Sequence, residues 1–246
     1  PLNAERFAYS IRRNIDPTTA GEYAAITDEI LGAPEWRGSA EDADREALKA
    51  AVGVKAVDAA GNACVDYEQA DCLTLVITLS KPAPYFHTVM GLWVTYPAKE
   101  ENITEGGEIW WTSSKYQVGN GPYVLSSIEP FVRARFTPNA NFHGGVGTVD
   151  IEYSYITDSA VAFEAYKNNE FDIIPSAAED LAVIDADEAL KAEHLVYPGA
   201  CTIAVMFHQL KEPFNDQKVR EAFSYALDRE AWVTDVDSGL SAATLT

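Results

Sequence analysis

The chain has 246 residues, 47% hydrophobic and 11% aromatic, which is enough for a packed core in one or two domains. Its formal charge of −20 is spread along the sequence, which argues against nucleic acid and anionic membrane as partners and speaks first to solubility. No run of about 18 apolar residues occurs, so no membrane-spanning helix is expected.

The chain opens at Pro1-Leu2-Asn3 without a Met and stops at Leu245-Thr246, and we read it as a piece of a longer protein. Asn3 is placed to cap a helix through Ile15, with Phe7, Ile11 and Ile15 as its apolar stripe and Asp16-Pro17 as its stop. A second helix is expected from Thr19 to Gly32, with Tyr23, Ile26 and Ile30 on one face. Ser39-x-x-Asp42 reads as a capping box for a third helix ending near Gly53. Val54 to Val57 reads as a strand, followed by a turn around Gly61. Leu73, Leu75, Ile77 and Leu79 alternate with Thr74, Val76 and Thr78, the pattern of a half-buried strand. Pro82 and Pro84 end it, and a short helix to Met90 follows.

Between these strands, Cys64 and Cys72 flank a polar segment, residues 65–71. A hairpin there would bring the two within disulfide range, and a bridge would fit an oxidising, exported location. Two unrelated thiols are the alternative. Cys201 is left over and reads as a buried small apolar residue.

Residues 98–119 are polar apart from Ile109-Trp110-Trp111 and read as a connector. Gly119-Asn120-Gly121-Pro122 turns into a strand at Tyr123-Val124-Leu125, and Val132, Ala134 and Phe136 mark the next strand. Asp150 to Ile156 reads as a strand and Ser159 to Asn169 as a helix with Ala162, Phe163 and Tyr166 inward. Phe171 to Ile174 reads as a short buried strand, Ala178 to Ala192 as a helix, and Thr202 to Phe207 as a strand. Pro213 and Asn215 then punctuate the start of a helix capped by Asn215 or Asp216, with Val219, Ala222, Phe223 and Ala226 on one face.

The stretch Pro213-Phe214-Asn215-Asp216-Gln217-Lys218-Val219-Arg220-Glu221-Ala222, continuing to Asp228-Arg229, resembles the PFxDxxVRxAxxxAxDR segment of extracytoplasmic solute-binding proteins of family 5. These are the oligopeptide-, dipeptide- and nickel-binding proteins of ABC importers. Further pieces resemble the family in the same order. Pro1-Leu2-Asn3-Ala4-Glu5-Arg6-Phe7-Ala8-Tyr9-Ser10 is similar to its P-L-T-A-E-D-F-x-Y-S opening, and Gly119-Asn120-Gly121-Pro122-Tyr123 to its G-T-G-P-Y. Asn139-Ala140-Asn141-Phe142 stands where the family has N-P-N-Y, with His143 in place of the usual Trp. Asn169-Glu170-Phe171-Asp172-Ile173 stands at its G-E-I-D-I strand.

The resemblance implies an α/β fold: a fragment of a two-lobed, class-II-like periplasmic-binding-protein architecture, with mixed sheets flanked by helices. Residues 1–110 would form a small extra domain of lobe one and 111–200 part of its main sheet. Residues 201–246 would form the inter-lobe crossing and first helix of lobe two. It implies an extracytoplasmic receptor, membrane-anchored in the full-length protein, that binds a peptide or other small solute and delivers it to ABC permease subunits. Strand alternation puts Ala204, Met206 and His208 on one face before the proline motif. Met206 falls where oligopeptide-binding members have a ligand-facing acid, His208 where they have asparagines, and Tyr23 where they have a pocket tyrosine. Burial in the core is the alternative for Tyr23 and Met206.

Catalytic constellations are missing from the pattern. His87, His143, His194 and His208 lack metal-ligand spacing, and no G-x-S-x-G, H-E-x-x-H or P-loop motif occurs. Asp235-x-Asp237-x-Gly239 lacks the Glu that completes a calcium loop. Adjacent acids such as Glu179-Asp180 diverge on a helix, and Cys201 with His208 has no orienting third group. No cofactor, metal or nucleic acid is therefore expected. The competing reading is a secreted peptide or glycoside hydrolase using dispersed carboxylates; a third is a docking fragment. The apolar face at Val219–Ala226 would need covering, by the lobe-one surface or, through self-association of the isolated chain, by another copy.

Overall fold

In a computed structural model of the chain, residues 2–197, 199 and 201–244 are described. The chain forms two compact units, Pro1–Tyr153 and Ser154–Thr246. In the first, α1 (Ala4–Ile15) buries Ala4, Ala8, Ile11 and Ile15, which recur along one stripe. Phe7, expected in that stripe, is half-buried, and Arg6 takes an inward position. Asn3 stands at the N-cap position but its side chain makes no cap. Its amide instead donates to the carbonyls of Asp66 and Gln69 (3.2 and 3.3 Å).

The stretch 19–32 is not the expected helix. It holds turns, a 3-10 helix (Ala24–Thr27) and a bridge between Ile30 and Leu79. The β-branched Ile26, Thr27 and Ile30 are poor helix formers, and Gly32 has a φ of 74°, outside helical space. Ile30 still reaches the core.

Next, α2 (Ala33–Arg37) buries Trp36, and α3 (Arg45–Ala51) is capped by Asp44, whose Oδ1 accepts from the Ala47 N–H at 3.0 Å. The third helix thus starts after the predicted box at Ser39, because Asp44 is the better-placed cap. Strand β1 (Val54–Val57) pairs antiparallel with β2 (Thr74–Ile77), Val54 opposite Ile77. Leu75 and Ile77 are half-buried while Thr74 and Val76 face out, as the alternation predicts. A short α4 (Phe86–Val89) and a 3-10 helix (Trp93–Thr95) follow. The stretch expected as a connector carries α5 (Glu100–Gly106) and two 3-10 helices, Gly107–Thr112 and Ser114–Tyr116. Ile11, Ile15, Ile30, Trp36, Val54 and Phe86 share one core, each large side chain stabilising it by about 1.5–3 kcal/mol.

The same unit carries a second sheet, ordered β3-β4-β5: β3 (Tyr123–Glu129), β4 (Arg133–Pro138) and β5 (Ile151–Ser154). A bulge interrupts the antiparallel β3–β4 register between Leu125 and Ser127.

In the second unit, α6 (Ser159–Lys167) is capped by Asp158 and buries Phe163. Residues 171–174 form no strand, and Ile173 is 89% exposed: a strand needs a hydrogen-bonded neighbour, and none adjoins it among the described residues. The helix expected over 178–192 is split into a 3-10 turn (Ala178–Asp180), α7 (Leu181–Ala186) and α8 (Glu188–Glu193). Asp187 makes the break, accepting from the N–H groups of Ala189 and Leu190 to cap α8. Residues 202–207 likewise form no strand, and Cys201 is exposed rather than buried. The proline stretch leads into α9 (Gln217–Ala226), capped by Asp216, and α10 (Arg229–Asp235), capped by Asp228.

Candidate ligand-binding site

Tyr23 sits at the N-cap position of the 3-10 helix Ala24–Thr27. Ala24 and Thr27 face inward, which leaves the Tyr23 ring outside and 47% exposed. It meets Trp93 edge-on, with ring centroids 5.3 Å apart and planes at 84°. Trp93 is 58% exposed although its neighbours Val94 and Thr95 are buried. Thr95 fixes that orientation by bonding through Oγ1 to the carbonyls of Leu92 and Met90 (2.8 and 3.0 Å). The pair presents two aromatic surfaces to solvent, able to take an apolar group and to donate from the tyrosine hydroxyl and the indole N–H. Trp93 was not legible as a site residue, because Leu92-Trp93-Val94 reads as a core run.

Ala204, Met206 and His208 lie in the second unit, Tyr23 and Trp93 in the first. Met206 is 90% exposed, and Ile203 and Val205 on the other alternating face are also exposed, so neither face is covered within this chain. Within this chain Tyr23 and Met206 are both exposed. His208 accepts the Leu210 N–H on Nδ1 at 3.3 Å. Phe207 anchors this segment, with its ring stacked on Phe214 at 4.9 Å and tilted against Phe223 at 5.6 Å. Along α9 Val219 is half-buried, whereas Ala222, Phe223 and Ala226 are exposed.

The motif residues mainly serve the backbone. Asn139 donates from Nδ2 to the Gly121 carbonyl at 2.8 Å, and its own N–H bonds to the Pro122 carbonyl. This ties Asn139-Ala140-Asn141 to Gly119-Asn120-Gly121-Pro122 at one end of the β3–β4 pair. Arg220 bonds back to the Phe214 carbonyl at 2.7 Å, and Arg229 to the Ser224 carbonyl at 2.9 Å.

The strongest electrostatic perturbation lies elsewhere in the first unit. Arg6, 4% exposed, forms a two-pronged pair with Glu101 (2.7 and 2.8 Å). That hydrogen bonding pulls the Glu101 carboxyl down to about 2. The Arg6 guanidinium lies 4.3 Å over the Tyr67 ring. Burial and the hydrogen bond to Glu100 push the Tyr67 hydroxyl well above its ordinary value. These groups are paired to one another, the signature of a structural network rather than of a poised acid or base.

Ser176 Oγ and His194 Nε2 lie 3.2 Å apart, a pair the spacing did not foretell. No carboxylate bonds the other ring nitrogen among the described residues, so the orienting member of a triad is missing. Among the described residues no group of three or more His, Cys, Asp or Glu side chains gathers to hold a metal, and no helix is long and apolar enough to cross a membrane.

Comparison with known proteins places this geometry. The sequence model of bacterial extracellular solute-binding proteins, family 5 middle, matches residues 1–246. The chain is 29% identical over 241 residues to the periplasmic oligopeptide-binding protein OppA of Escherichia coli (strain K12), covering 96% of this chain and 40% of that protein. It is 26% identical over 232 residues to the probable deoxycholate-binding periplasmic protein YgiS of the same strain, covering 94% of this chain and 40% of that one. The structure of the pheromone receptor PrgZ superposes with a TM-score of 0.70 at 23% identity, covering 95% of this chain and 43% of the receptor. The chain thus spans about 40% of the length of these curated relatives. The architecture is the mixed α/β one of periplasmic oligopeptide-binding proteins. The chain belongs to the bacterial extracellular solute-binding proteins of family 5.

Proposed function

We propose that the chain is part of the substrate-binding component of an ABC importer, which captures a peptide or similar small solute outside the cytoplasmic membrane and passes it to the permease. The match of the family model over residues 1–246 carries this reading, and the relative named for oligopeptide binding supports peptide as the first ligand class. Residues 1–110 and 111–200 would then supply lobe one, and 201–246 the crossing to lobe two. Tyr23 with Trp93, and separately Ala204, Met206 and His208, are the residues we assign to solute contact. In the full-length protein the solute would stabilise the closed arrangement of the two lobes by touching both, which is the differential affinity that closure requires.

Met206 in place of an acid, and the apolar Tyr23–Trp93 surface, also favour a second reading. This is an amphipathic carboxylate of the kind named for the deoxycholate-binding relative. Titration calorimetry of the full-length protein against tri- to pentapeptides and against deoxycholate separates the two. Saturable heat with peptides supports the first and with deoxycholate the second. Saturable heat with neither removes both.

A further inference from the structure

The Cys64–Cys72 disulfide closes a loop that touches far more than itself. Its Cα atoms stand 5.8 Å apart, and Cys72 is fully buried while Cys64 is partly exposed. Asp66 turns the loop by accepting from the N–H groups of Glu68 and Gln69, and Gln69 Oε1 accepts from the Val65 N–H. The loop then takes over the start of α1. The Ala4 N–H donates to the Cys72 carbonyl at 2.9 Å, and Asn3 donates to two further loop carbonyls. This is why Asn3 makes no cap of its own. From the tip of the loop, Tyr67 lies under the Arg6 guanidinium, edge-on to Tyr9 at 6.3 Å, and its hydroxyl donates to Glu100. Glu100 and Glu101 form the first turn of α5, and Glu101 is the partner of Arg6. α5 buries none of its own residues. Its first turn is held by Tyr67 and Arg6, and Tyr67 lies within the loop that the disulfide closes.

We propose that the Cys64–Cys72 disulfide is a redox latch on α5: oxidised, it fixes Tyr67 against the first turn of α5; reduced, it removes the Tyr67 hold and leaves that turn on the Arg6–Glu101 pair alone. The reductant is an external dithiol. Its thiolate attacks the sulfur of Cys64, the less buried of the two cysteines, and Cys72 leaves as a thiolate. The second thiol of the dithiol then resolves the mixed disulfide. Two electrons and two protons end on Cys64 and Cys72, and the dithiol leaves as a disulfide.

Hydrogen–deuterium exchange of the full-length protein, oxidised and after dithiothreitol, tests this. The amides of residues 101–106 should exchange at least about tenfold faster when reduced, the change expected when a charge-assisted hydrogen bond is lost from a local opening equilibrium. The β1–β2 amides should not change. With the disulfide intact, Tyr67→Phe should give part of the same acceleration in α5. If reduction accelerates exchange only within 64–72, or accelerates β1 and β2 equally, the proposal is overturned. If Tyr67→Phe leaves α5 unchanged, the route through Tyr67 is overturned as well.

Discussion

Replacing Arg6 by Ala should destabilise the first unit by about 3 kcal/mol, a sum of three contributions of different kinds. The pair with Glu101 has two short, parallel hydrogen bonds. The Glu101 side chain is 50% exposed, so it rehydrates once Arg6 is gone. The pair is therefore discounted from buried-charge values to about 1 kcal/mol. The guanidinium over Tyr67 adds about 0.5–1 kcal/mol, and the buried aliphatic stem adds about 1 kcal/mol or more. Arg6→Met keeps the stem and should lose only about 1.5 kcal/mol, and Glu101→Gln about 1 kcal/mol, by the same apportioning. Urea unfolding followed by tryptophan fluorescence reads this out, since Trp36, Trp93, Trp110 and Trp111 all lie in this unit. If Arg6→Ala moves the free energy no more than Glu101→Gln, packing of the stem and ring contributes nothing and the reasoning fails.

The same pair gives a pH signature. Glu101 titrates at about 2 in the folded chain against an ordinary 4.5, so its contribution is fully present above pH 4.5 and fades as pH falls towards 2. The stability gap between wild type and Glu101→Gln should close over that window, and a gap that persists at pH 2 would reject the assignment. Gly53→Ala should cost about 1–3 kcal/mol in thermal or urea unfolding, because a Cβ there would stand 2.5 Å from the Thr78 carbonyl oxygen within the ladder. Thiol titration of the unfolded, non-reduced chain should find one reactive group, Cys201; three would mean that no bridge forms. Trp93→Ala in the full-length protein should weaken solute binding several-fold, the loss of roughly 1 kcal/mol expected for one aromatic contact. Its unfolding midpoint should stay near wild type, as its ring is largely exposed.

What was legible in the sequence follows how local each signal is. Both strands of the first sheet, the second by its alternation, and the helices Ala4–Ile15 and Gln217–Ala226, by periodicity and Asp or proline punctuation, were legible. The stretch 19–32 misled because Ile26 and Ile30 reach the core from irregular backbone, and the burial spacing alone looks helical. Residues 171–174 and 202–207 have strand composition, but pairing depends on a neighbour that no local pattern contains. Asn3 shows the same limit at one side chain: a good capping residue was diverted by the distant loop at 66–69. The exposed partner of Tyr23 was invisible for a related reason. Trp93 is exposed while Val94 and Thr95 are buried, an orientation that the hydropathy of the run does not register.

The proposed role requires that the full-length protein bind a solute and return it unchanged. Native mass spectrometry after incubation with a defined mixture of short peptides tests it most directly. It should show a non-covalent one-to-one complex whose released peptide has its original mass. Peptides recovered as fragments, in a reaction abolished by Ser176→Ala or His194→Ala, would contradict it and establish a hydrolase instead.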